Sequence, residues 1–171
     1  MRGPLSSLLT RWTFPVVLLL LPACFNPFAP ELDERIDLTN VITEQTSPEE
    51  VLQNFRIAYT FKDSLLYSDV LDESFVFEFL DANLEPVTWE RDVDLKTTGR
   101  LFRQFDVVDL HWDILFQESH AELERRFLRF NLNLFSSDIN FLVTGTAIFT
   151  FKQSGLDQKW RVVRWKDESL R

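Results

Sequence analysis

The chain is poor in most of the residues that carry chemistry. In 171 residues it has one cysteine, one methionine, two histidines, two tyrosines and four glycines. A lone Cys24 can close no intramolecular disulfide, so the fold must hold by packing alone. No glycine-rich phosphate loop, nucleophile elbow or paired-cysteine metal site is present, and no cofactor or metal is expected. Basic side chains are outnumbered, 18 against 27 acids, and do not cluster. That balance excludes nucleic acid as an expected partner, since phosphate binding relies on grouped Lys and Arg. It also argues against electrostatic adhesion to anionic lipid. No internal repeat of solenoid type is found. Apolar and aromatic bulk is what remains: 45% hydrophobic residues, with 17 Phe and 5 Trp, are enough for the core of one domain.

The first 24 residues read differently from the remainder. Arg2 and Arg11 precede the apolar run Phe14 to Leu21, which is too short to span a bilayer, and Pro22, Ala23 and Cys24 follow. This is the pattern of a secretory signal with a cleavage site. The tetrad Leu21, Pro22, Ala23, Cys24 resembles the bacterial lipobox. The resemblance implies lipidation of Cys24 and cleavage in front of it, with the mature amino terminus held at a membrane of the cell envelope. Phe25 stands where the inner-membrane retention signal would have Asp, so the outer membrane is the expected address in a diderm cell. Loss of residues 1 to 23 removes Arg2 and Arg11 and no acid, so 16 basic side chains would face 27 acids, formally −11. Residues 24 to 46, with Pro27 and Pro30 and no apolar period, are expected to form a tether, and 47 to 171 the domain.

Ser47, Pro48, Glu49 and Glu50 spell a capping box with proline at the first helical position. Val51, Leu52, Phe55, Ala58 and Tyr59 then share one stripe of a helix. Asp63 is placed to cap a second helix carrying Leu66, Tyr67, Val70 and Leu71, stopped by Asp72 and Glu73. Phe75, Phe77 and Phe79 alternate as a strand, and Leu84 to Thr88 gives it an edge partner with Pro86. The spacing of Leu95, Thr98, Phe102 and Phe105 is helical again. Four strands follow: Val107 to Phe116, Glu122 to Phe135, Ile139 to Lys152 and Trp160 to Lys166. Their one-sided alternation predicts an antiparallel sheet with a single covered face. In the third of these, Gly145 is expected to bend the strand, so that any pocket lies over Gly145 and Ala147.

The expected fold class is therefore α+β, a curved antiparallel sheet packed on three helices. The element order, the Tyr59, Asp63, Tyr67 and Phe75 to Phe79 pattern, and the ending Trp160 to Trp165 resemble the NTF2-like, or SnoaL-like, superfamily. The resemblance implies a cone, a cystatin-like roll with an internal pocket. In enzymes of that superfamily an acid or histidine in the pocket moves a proton beside a carbonyl, often with help from a tyrosine of the first helix.

An acid–base group must point into the cone to do such work. His111 lies between Asp109 and Asp113 at two-residue spacing, yet alternation sets all three on the outer face, and His120 falls in an expected loop. The inward positions of that strand, Val108 to Phe116, are all apolar. Parity leaves Tyr59, Trp112, Arg126 and Arg164 near the mouth of a small apolar pocket, able to hold a hydrophobic carboxylate, with Glu124 on the side of Arg126. Two functions follow from this pattern. The first is a membrane-anchored lipoprotein with a non-catalytic ligand-binding or protein-interaction domain, which could form a homodimer through Phe127, Phe135 and Trp165 of the outer face. The second is a small pocket enzyme, an isomerase, dehydratase or cyclase acting on a hydrophobic substrate through Tyr59 and His111 or another acid.

Overall fold

The computed structural model describes residues 41–169, so Cys24, the leader and most of the expected tether lie outside the described residues. Helix α1 (Pro48–Phe61) begins where the capping signal places it. The Ser47 hydroxyl accepts from the Glu50 amide at 3.3 Å, and the Glu50 carboxylate accepts from the Thr46 amide at 2.7 Å. The helix ends at Lys62, whose left-handed conformation (φ 57°) turns its N–H back onto the carbonyls of Ala58 and Tyr59. Asp63 then caps α2 (Ser64–Val70), accepting from the amides of Leu65 and Leu66. The stripe read on α1 is buried throughout. Asp72 and Glu73 do not form a break: Leu71 already belongs to strand β1 (Leu71–Leu80), which carries both acids at its start.

Strand β2 (Pro86–Glu90) returns along β1 after a turn in which the Asp81 carboxylate accepts from the amides of Asn83 and Glu85. Helix α3 (Arg91–Gln104) leads into β3 (Val107–His120), β4 (Leu123–Phe135), β5 (Asn140–Gln153) and β6 (Trp160–Asp167). The six strands form one sheet in the order β2-β1-β6-β5-β4-β3. Four of the five strand pairings are antiparallel, but β1 lies parallel to β6, so the sheet is mixed. The exception arises because the early β1–β2 hairpin docks on the last strand, and the meander fills the other side of it.

Irregular register, which alternation cannot show, moves several side chains from their expected faces. Leu115 is an extra residue in β3 opposite the Leu128–Phe127 step of β4. Past it the parity reverses, and Phe116, expected inside, joins Phe127 on the outer face; Ile114, just before the extra residue and opposite the buried Leu128, is exposed as well. Val163 is a second extra residue, in β6. It turns Trp165 inward beside Phe149 and sends Arg164 to the opposite face. Of the three aromatics expected on the outer face, only Phe127, stacked on Phe116, and Phe135 remain there. By contrast β4 and β5 pair without interruption from Leu123↔Lys152 to Phe135↔Asn140. No bulge falls at Gly145. The glycine is there for room: a Cβ on it would stand 1.6 Å from Ser169 Oγ and 3.1 Å from Phe130 Cε1. The inward side of β5 is covered from Ala147 through Phe151 and open before that, leaving Phe141 and Val143 exposed.

The domain also starts earlier than the capping box. The fully buried Asn54 accepts from the Thr43 amide at 2.8 Å and donates to the Thr43 carbonyl at 3.0 Å, so the chain before α1 is held against the helix. Buried Gln45 receives the Trp160 amide on its carbonyl at 2.8 Å and donates its side-chain amide to Asp69. Residues 41–46, read from composition as tether, are part of the fold.

Candidate functional site

Where α1 and α3 face the sheet, the inner side chains do not meet completely. They leave a cavity of about 170 Å³. Helix α1 contributes Phe55 and Tyr59; α3 contributes Asp94, Thr97, Thr98 and Leu101; the sheet closes it with Phe77, Trp89, Trp112, Phe130, Ala147, Phe149 and Trp165. Phe55 is the hub, its ring 4.9 Å from Tyr59, 5.2 Å from Tyr67, 5.3 Å from Phe149 and 5.6 Å from Trp112. The floor lies over Ala147, the small residue expected to sit under any pocket. Thr97 and Val143 are exposed while Asp94, Leu128 and Ala147 are buried, so the mouth lies between α3 and the β4–β5 hairpin. A larger hollow of about 480 Å³ runs past Ser68, Asp72, Arg91 and Leu156, but it is a charged surface groove whose Arg161 already pairs with Asp69 and Asp157.

The polar end of the cavity is built by α3. Asp94 is 3% exposed and accepts a hydrogen bond from the Tyr67 hydroxyl at 2.6 Å. Burial pushes its pKa up; the Tyr67 hydrogen bond, and the Trp89 indole directed toward it, favour the charged form and oppose that rise. Trp89 Nε1 nevertheless stops short of a full hydrogen bond and is buried without a partner, as is Trp165 Nε1. Burial, and then the negative charge of Asp94, push the Tyr59 hydroxyl far above its ordinary value, while the hydroxyls of Thr98 and Tyr67 pull the other way. Tyr67 is pushed up by burial, and next by Tyr59 and Asp94. Both tyrosines are therefore neutral donors at any physiological pH. At the β6 end of the cavity Asp167 accepts from the Ser169 amide at 2.9 Å and from its hydroxyl at 2.5 Å.

Tyr59 and Trp112 stand in the wall of this pocket. Arg126 and Arg164 do not. Arg126 points inward and is 5% exposed, but it sits where β4 meets the first turn of α1, held by Glu49 at 2.7 Å and Glu124 at 3.1 Å. Arg164, on the far face because of the Val163 bulge, pairs with Glu78. His111 is solvent-facing, with its Nε2 3.0 Å from the Asp109 carboxylate and its side chain 66% exposed, so it cannot serve the cone. His120 ends β3 at the surface, before the left-handed Ala121. The acid of the pocket is Asp94, which sequence reasoning passed over. Its signal was present: it lies one turn before Thr98 and two before Phe102 on the same buried stripe of α3.

No protein-family model matches the chain, and no curated protein matches it in sequence. Solved structures do match it in shape. A conserved protein from Planctomyces limnophilus superposes with a TM-score of 0.61 at 12% identity, over 69% of this chain and 89% of that one. An NTF2-like protein of unknown function from Shewanella baltica gives 0.52 at 12% identity, over 81% and 98%. The fold is NTF2-like. A candidate scytalone dehydratase of Novosphingobium aromaticivorans shares it, with a TM-score of 0.60 at 12% identity, over 72% of this chain and 81% of that one. Identities this low carry the fold of the NTF2-like domain and nothing about its chemistry. Among the described residues no helix is long and apolar enough to cross a membrane, and no group of three or more His, Cys, Asp or Glu side chains is placed to hold a metal ion.

Proposed function

We propose that the NTF2-like domain is a ligand-binding module, carried at the bacterial cell envelope by a lipid on Cys24, that takes up a small and largely apolar molecule. The observation that carries this reading is the aromatic cavity with a buried carboxylate at one end. At about 170 Å³ it matches the space, roughly 150 Å³, that accepts one benzene ring in a protein core. A closed core would have filled that volume with side chains. Three of the five tryptophans, Trp89, Trp112 and Trp165, line it, so occupancy should quench or shift indole fluorescence. Titration of the whole chain with single-ring aromatic compounds is expected to saturate. Ala147→Phe, which puts a ring into the floor, is expected to weaken binding by about 10-fold or more. A wild-type chain whose emission responds to none of these compounds would remove the reading, whatever the variant does.

Asp94 supports a second reading. A buried acid beside Tyr67 and Tyr59, in a largely apolar pocket, is also the arrangement of a proton-transfer enzyme. The same titrations separate the two: a bound compound recovered unchanged fits the binding module, and conversion that Asp94→Asn abolishes fits the enzyme.

The envelope address rests on the leader and on Cys24. Cys24→Ser is expected to lose fatty-acid labelling and to move from the membrane to the soluble fraction. Unchanged labelling and fractionation of that variant would leave the domain without its proposed anchor.

A further inference from the structure

The charge of the pocket says more than its shape. Among the described residues eighteen line the cavity, and none of these is Lys, Arg or His, while two are acids, Asp94 on α3 and Asp167 at the end of β6. The arginines that would have welcomed a carboxylate are elsewhere: Arg126 is engaged by Glu49 and Glu124, and Arg164 by Glu78 on the other face of the sheet. An anionic ligand would thus enter beside the Asp94 carboxyl with no Lys, Arg or His among the described residues of the wall. Around Asp94 stand the tyrosine hydroxyl that donates to it and an indole directed toward it, neither of which cancels its charge. Half of the other lining residues are aromatic, among them Trp89, Trp112, Trp165 and Tyr59, whose π systems attract cations, and most of the others are aliphatic. The whole chain carries a formal net charge of −9, which adds a field of the same sign outside the mouth.

From this arrangement we infer that the ligand of the pocket is a compact organic cation: an amine on a single ring or a body of similar size, its ammonium against Asp94 and its apolar part among the indoles. The inference rests on the pocket reading above and adds the sign of the ligand's charge. Size is set by the cavity of about 170 Å³. Specificity comes from the wall, because an ammonium gains both a carboxylate and aromatic faces there, a neutral isostere gains only the apolar contacts, and a carboxylate is repelled.

The test is a matched set of probes on the whole chain at neutral pH: benzylamine, benzyltrimethylammonium, benzyl alcohol and benzoate, followed by tryptophan fluorescence and calorimetry. Benzylamine is expected to bind about 10-fold or more tighter than benzyl alcohol, with benzoate undetectable. The trimethylammonium probe should keep most of that advantage, since it keeps the charge and loses only the N–H donors. Asp94→Asn is expected to reduce the preference for amine over alcohol to within about 3-fold. The wild-type comparison stands by itself if that variant does not fold. Benzyl alcohol binding as tightly as benzylamine, or benzoate binding at all, overturns the cation while leaving the pocket as a ligand site. Silence from all four probes overturns both.

Discussion

Gly145→Val should lose about 3 kcal/mol of folding stability, which for a domain of this size lowers the melting temperature by on the order of 10 °C. The reason is local and steric. A Cβ at position 145 would fall 1.6 Å from Ser169 Oγ and 2.6 Å from Ser169 Cβ, distances that no side chain tolerates, and 3.1 Å from Phe130 Cε1. Ser169 can retreat only by giving up its two hydrogen bonds to Asp167, and the neighbouring Glu168 amide gives 2.8 Å to the Thr146 carbonyl in the same turn. The branched side chain would then still press on Phe130, whose ring is in the pocket wall. Two controls identify the cause. Gly155→Ala should change nothing, since no atom lies within 4 Å of a Cβ there. Adding Ser169→Gly to Gly145→Val should restore part of the lost stability, because it removes the two closest atoms. A double variant as unstable as the single one would mean that the glycine serves the path of the strand rather than the closure of the tail over it.

That glycine shows where reading a sequence stops. Periodicity located β5, and the run from Ala147 to Phe151 is buried as its pattern requires. A glycine in a strand reads as a bend, because the only local reason for it is backbone freedom; the actual reason, Ser169, comes from the end of the chain. The helix starts at Ser47 and Asp63 were legible because capping is a contact within four residues. Parity failed in β3 and β6 for one cause, a single extra residue at Leu115 and at Val163, and each reversed everything beyond it. Arg164 and Trp165 exchanged faces in this way, which removed a supposed cation from the pocket and supplied an aromatic wall. Arg126 was read on the correct side, yet its partner Glu49 is 77 residues away in sequence and no pattern joins them. Asp94 was hidden by its position in the first turn of a helix, where an acid is ordinarily explained by the helix dipole. The docking of α3 on β1 and β2 shows that this acid faces inward, on the stripe it shares with Thr98 and Phe102.

Tyr67→Phe should cost about 2 kcal/mol at neutral pH, and the cost should shrink as the pH falls. Phenylalanine keeps the ring and its packing among Phe55, Tyr59 and Phe102, so only the hydroxyl is lost. That hydroxyl gives Asp94 its 2.6 Å hydrogen bond in a place where water does not replace it. The sign of the pH dependence follows from Asp94. Burial raises its folded-state pKa above the ordinary 3.8, so the folded chain holds that proton more tightly than the unfolded one. The stability this contributes is complete below 3.8 and is lost as the pH rises through the folded value. Tyr67 opposes the loss by stabilising the carboxylate; without it the pKa of Asp94 rises further. The variant therefore falls furthest behind wild type where Asp94 is charged, and closes on it once the carboxyl is protonated. The other ionisable groups of the cavity wall, Tyr59 and Asp167, remain in both chains. Urea unfolding of the two chains at neutral pH and at about pH 4 measures the difference directly. A gap that is the same at both pH values would show that the hydroxyl acts through packing and that Asp94 carries no charge in the folded pocket. In that case the carboxylate could not be what holds an ammonium there.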